Sequence, residues 1–185
     1  MFIQTEATPN PSTLKFIPGR EVLASGTADF RDSGEAGSSP LARRLFAIDG
    51  VNGVFLGSDF ISVTKGTAEW QHLKPMILGA IMEHYQSGEA TGQKADAETE
   101  GSFDPQDADT VRTIKELLET RVRPAVAQDG GDILFARFEP DTGVVWLHMR
   151  GACAGCPSSA ATLKAGVENM LRHYVPEVTR VEQAL

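Results

Sequence analysis

Cys153 and Cys156 are the two cysteines of a 185-residue chain, and they stand three apart in the stretch RGACAGCPSS. Thiolates at that spacing can chelate one metal ion or two neighbouring irons, and they can also close a reversible disulfide. A structural zinc or an iron–sulfur cluster normally takes four protein ligands. Two thiols are half of such a set. Three chemistries therefore stay open: a cluster on the axis of two copies of the chain, a zinc ion shared in the same way, or a dithiol–disulfide exchange of the thioredoxin kind. The flanking residues favour a site over an inert pair. Gly151, Ala152, Ala154 and Gly155 carry little or no side chain, which leaves room for a bulky group. Pro157 suits the first position of a helix, where its missing N–H would have been unpaired. Both sulfurs then lie at or just before a helix N-terminus, where free N–H groups and the dipole favour thiolate over thiol.

The elements that must hold this loop are legible on either side of it. Val111, Ile114, Leu117, Leu118 and Val122 fall at the spacing of one buried helical face. Asp109 is placed to cap that helix, and Pro124 to end or kink it. DILFARFE and GVVWLHMR read as strands joined by the turn PDTG. After the cysteines, Leu163, Val167, Met170, Leu171 and Tyr174 again fall at helical spacing, Pro176 stops the helix, and EVTRVEQ is a last short strand. The order is α-β-β-α-β, with the cysteine loop between strand and helix. DGGD at 129–132 has the look of an anion- or metal-binding loop, and serves first as a tight turn into the strand.

The N-terminal half mixes strands and helices without a chemical motif. MFIQTE and TLKFIP alternate around the turn-prone ATPNPS, and EVLASGTADF can hold a third strand. SPLARRLFAI reads as a helix with Ser39 as N-cap and Pro40 first inside it. GVNGVFLGSDFISVTK reads as two strands around Gly57, Ser58 and Asp59. AEWQHLKPMILGAIMEHY closes the half as a helix with Trp70, Leu73, Ile77, Ile81 and Tyr85 on one stripe. His72, His84, His148 and His173 show no ligand spacing and read as surface or packing residues. No Ser–His–Asp or Cys–His arrangement and no phosphate loop is present.

Between the halves the charge is uneven. Net charge is −8, and residues 87–109 alone hold seven acidic residues against one lysine. Such a segment cannot bury enough apolar surface to offset its ordering entropy and reads as a flexible, self-repelling linker. The expected fold class is thus α+β, with two small mixed domains at 1–86 and 109–185 and an acidic linker at 87–108. No basic patch suggests nucleic acid, no apolar run is long enough to span a bilayer, and the start of the chain resembles neither a signal peptide nor a presequence. These features set a bacterial cytoplasmic location as the expectation, beside a matured mitochondrial form.

DGGDILF followed by VWLHMRGACAGCPSSAATLKAGVENML closely resembles the NifU C-terminal domain of Nfu-type iron–sulfur scaffolds. FIQTEATPNPSTLKFIPG resembles the Nfu N-terminal domain. The resemblance implies a non-enzymatic carrier that holds a labile [4Fe–4S] cluster, one per homodimer, with Cys153 and Cys156 of each chain as ligands and a [2Fe–2S] form as a second state. It implies upstream cluster-assembly proteins and apo-protein clients as partners, with the N-terminal domain recognising them. The competing enzyme reading is a CxxC thiol–disulfide oxidoreductase.

Overall fold

The computed structural model describes residues 1–91, 103–154 and 157–184, and the side chains of 157–160 are outside that description. The chain forms two compact units, Met1–Ala97 and Glu98–Leu185, each with its own sheet and core. The mixed α+β class expected from the sequence is what the structure shows.

The first unit is a five-stranded antiparallel sheet in the order β1-β2-β5-β4-β3. Its strands are β1 (Gln4–Ala7), β2 (Thr13–Ile17), β3 (Ala28–Phe30), β4 (Val51–Leu56) and β5 (Ile61–Lys65). Pro9 and Pro11 lie in the β1–β2 connection, where no ladder hydrogen bond is asked of them. Trp70 Nε1 donates to the carbonyl of Pro11 at 3.1 Å and fixes that connection. Helix α1 (Pro40–Phe46) starts as its sequence dictates: Ser39 Oγ accepts the Ala42 N–H at 3.1 Å, and Pro40 follows it. Helix α2 (Trp70–Ser87) keeps Pro75 in its second turn and ends at Gly88, which takes φ +72°. Leu73, Ile77 and Ile81 of α2 and Leu41 and Leu45 of α1 bury completely against Phe16, Val54, Leu56, Ile61 and Val63.

The second unit is three-stranded, in the order β6-β7-β8. Strand β6 (Gly131–Glu139) pairs antiparallel with β7 (Val144–Gly151), and β8 (Arg180–Gln183) pairs parallel with β7. A register shift between Phe135 and Arg137 moves the inward face by one residue, so Ile133, Phe135 and then Phe138 all reach the core. Helix α5 (Pro157–Tyr174) follows the cysteine loop, and its first residue is the proline expected there. Edge strand β8 is protected on one side by a carboxylate: the Val181 N–H donates to Glu168 Oε2 at 3.1 Å.

The helix before the sheet differs from the expectation at its start. It begins at Ala108 with Asp107 as its cap residue, so Asp109 lies in the first turn and pairs with Arg112 instead of capping. Pro124 does not end it. Helix α3 (Ala108–Leu117) passes through a wide π turn at Leu118–Val122 and continues as α4 (Arg123–Gln128), with Pro124 in the first turn of that last piece. Within the turn the Arg123 N–H donates to the carbonyl of Leu118, five residues back. Proline supplies no N–H and its ring collides with the carbonyl four residues earlier. Widening one turn absorbs that conflict without breaking the helix.

Candidate metal centre

The loop is set up by the end of β7 and the start of β6. Gly131 and Gly151 are paired across the two strands, as are Asp132 and Arg150. Gly151 turns with φ +63°, and Ala152 donates its N–H to the carbonyl of Gly130 at 3.2 Å. Gly130 itself has φ +80°, a conformation in which a side chain would be strained. The DGGD turn therefore lies directly against the cysteine loop.

Cys153 rests on that turn. A Cβ placed on Gly131 would lie 2.5 Å from Cys153 Sγ, 2.7 Å from the carbonyl oxygen of Arg150 and 3.0 Å from the Cys153 nitrogen. Only a glycine leaves this volume to the sulfur. The side chain is 6% exposed and belongs to the same apolar cluster as Val126, Ile133, Met149 and Val167. Burial, then the negative charges of Asp129 and Asp132, push its thiol up to about 12. Apolar neighbours and two carboxylates thus act against the thiolate that a helix start favours. Ala152 is buried as well, so its methyl group packs inward and does not open space outside the sulfur. Cys156, the other expected ligand, lies outside the described residues.

Behind the turn stands a pair that the sequence did not single out. Arg123 Nε and Nη2 donate to Asp132 Oδ1 and Oδ2, both at 2.9 Å, and Arg123 Nη1 donates to Glu119 Oε2 at 2.7 Å. Asp132 is 3% exposed, and its Oδ1 also accepts the Ile133 N–H at 2.9 Å. The two-pronged geometry raises the Arg123 guanidinium above its ordinary value in spite of its burial. A carboxylate heading an apolar strand was the available sign that a cation had to be close.

The other expected packing residues fall into place. His84 is fully buried in the first unit, with Nε2 3.4 Å from Thr91 Oγ1. No group of three or more His, Cys, Asp or Glu residues arranged to hold a metal occurs among the described residues. No helix among them is long and apolar enough to cross a membrane.

Residues 3–88 match the family described as scaffold protein Nfu/NifU N terminal, and residues 114–182 match the NifU-like domain. NifU-like protein 5, mitochondrial, of Arabidopsis thaliana is 54% identical over 186 residues, covering 99% of this chain and 68% of that protein. The chain belongs to the Nfu/NifU family. A second relative of this Nfu/NifU chain is the NFU1 iron-sulfur cluster scaffold homolog, mitochondrial, of Drosophila sechellia, 51% identical over 99% of the chain and 65% of that protein. The chain spans about two thirds of the length of these curated relatives. The solution structure of a NifU-like protein from Saccharomyces cerevisiae matches 51% of the chain and 86% of its own length, at 28% identity and a TM-score of 0.46. The expectation of a bacterial cytoplasmic location is overturned by the relatives, whose names place them in mitochondria. Compartment is encoded in a separable leader, so the composition of folded Nfu/NifU units could not report it.

Proposed function

We propose that this chain is a non-enzymatic carrier of iron–sulfur clusters. Cys153 and Cys156 from each of two copies supply four thiolates to one [4Fe–4S] cluster, which is the cargo. Client thiolates replace these ligands one at a time, and the cluster passes to an apo-protein. A two-plus-two site lets go of its cargo more readily than a four-cysteine cage within one chain. Upstream assembly proteins supply the cluster, and a [2Fe–2S] form is the smaller alternative cargo.

The observation that carries this reading is the seat of Cys153. Its sulfur is held between a strand end and a helix start on a glycine floor, three residues before a second cysteine. The same seat weakens the oxidoreductase reading. An exchange thiol works as an exposed thiolate of lowered pKa, whereas Cys153 is buried and its thiol is pushed up. A cluster ligand has no such requirement, because bound iron displaces the proton.

Anaerobic reconstitution with ferrous iron and sulfide, followed by sizing and metal counting, is the test. The expected product is a dimer with about four irons and four sulfides, as four thiolate ligands require, and Cys153→Ala or Cys156→Ala is expected to abolish it. A colourless monomer that reduces disulfides would overturn the proposal. One zinc per dimer with no cluster uptake would replace it with a zinc-linked module.

A further inference from the structure

Ligand side chains are normally held by outer neighbours that fix their orientation. In the second unit a continuous chain of contacts runs from a charged pair to the thiol. Arg123 grips both oxygens of Asp132, the second residue of β6, and the first, Gly131, is the floor under Cys153 Sγ. Gly130, one residue further back, accepts the Ala152 N–H, so the floor is also tied to the loop above it. The arginine is itself placed by the π turn, whose last residue it follows, and is steadied by Glu119. The side chains of Arg123 and Asp132 are 15% and 4% exposed. A buried ion pair is a poor source of net stability, since apolar residues of the same volume often serve as well. What it does supply is a fixed distance and direction.

We infer that Arg123 is a positioning residue for Cys153. Through Asp132 it fixes the Gly130–Gly131 floor, and so it sets the depth at which the sulfur is held before the cluster draws it out. This deepens the carrier reading. The part that concerns cargo rests on that reading, and the part that concerns the thiol does not.

The experiment compares the wild type with Arg123→Lys, which keeps the charge but cannot grip two oxygens at once. In the metal-free protein, iodoacetamide labelling of Cys153 is followed by mass spectrometry of its peptide. Arg123→Lys is expected to label at least about fivefold faster, because a loosened floor lets the loop open. After reconstitution the variant is expected to keep its cluster for a time about tenfold shorter, the usual scale for loss of a ligand's support. Val181→Ala, a fully buried position of β8 away from the pair, is the control for general destabilisation. Labelling of Arg123→Lys at the wild-type rate overturns the inference, and so does an equal acceleration in Val181→Ala. Should Arg123→Lys not fold, the double variant Arg123→Gln, Asp132→Asn takes its place under the same two criteria. Faster labelling in a protein whose wild type takes up no cluster would leave the positioning role standing and remove the carrier reading.

Discussion

The first unit disperses its buried polar groups, and the second gathers them at one corner. The five-stranded unit packs two helices on an antiparallel sheet and spreads its buried polar side chains, Asn10, Thr13, Lys15, Ser39, Ser62 and His84, through the fold. Their hydrogen bonds include caps and turns, as at Ser39, and the Thr13–Thr64 hydroxyl pair between β2 and β5. The three-stranded unit has less sheet, yet brings a carboxylate, a guanidinium and a thiol to one corner of its core. At that corner burial and the negative charges of Asp129 and Asp132 both resist the ionisation of Cys153.

Four perturbations would sharpen or break that contrast. The largest effect is expected from Asp132→Ala, which takes the buried partner from the Arg123 guanidinium, leaves it Glu119, and costs the second unit about 3–5 kcal/mol. Urea unfolding followed by amide exchange in residues 103–184 measures it, and a loss below 1 kcal/mol, on the order of a surface pair, would mean that the corner is not strained. Next is Ile77→Ala in the first unit, a fully buried position, expected to cost about 2–5 kcal/mol by opening a cavity. Exchange is expected to quicken across residues 4–91 while cluster loading stays at the wild-type level. Lost loading there would break the contrast between the units.

A smaller effect is expected from acid. Burial, then the Arg44 charge, lowers the His84 pKa below its ordinary 6.5. Below pH 6.5 the unfolded chain takes up a proton that the folded unit resists, so stability falls as pH falls, by at most about 1.4 kcal/mol per pH unit for one proton. Denaturation midpoints at pH 7.5 and 5.5 test this, with the slope reduced in His84→Gln; an unchanged slope in that variant would assign the effect to other groups. The smallest effect is expected from Arg112→Ala. Its partner Asp109 and the arginine itself are both largely exposed, and solvent screens the pair. No measurable shift of the unfolding midpoint is expected.

Much of the architecture was readable because its causes are local. Ser39 before Pro40 marks a helix start by chemistry contained within four residues, and the structure places the start there. The same holds for Pro157 at the head of α5. The continuation past Pro124 was not readable, because whether a proline ends a helix or widens it depends on what the next turn packs against. Val126, buried in the core, shows that the extra turn had apolar surface to cover. The role of DGGD was half legible. Its glycines announce a tight turn, but the clash that a Cβ on Gly131 would make is with a sulfur 22 positions along the chain.

The sequence by itself determined that each chain brings two thiols three residues apart, with a helix start beside them and family motifs around them. Spacing, capping and periodicity are properties of neighbours in the chain, and they survive without a fold. Only the tertiary structure decided the depth of Cys153, the grip of Arg123 on Asp132 and the carboxylates that face the thiol. Burial and electrostatics are set by whatever the fold brings within a few ångströms, and β6, β7 and the π turn bring together residues that the chain keeps apart.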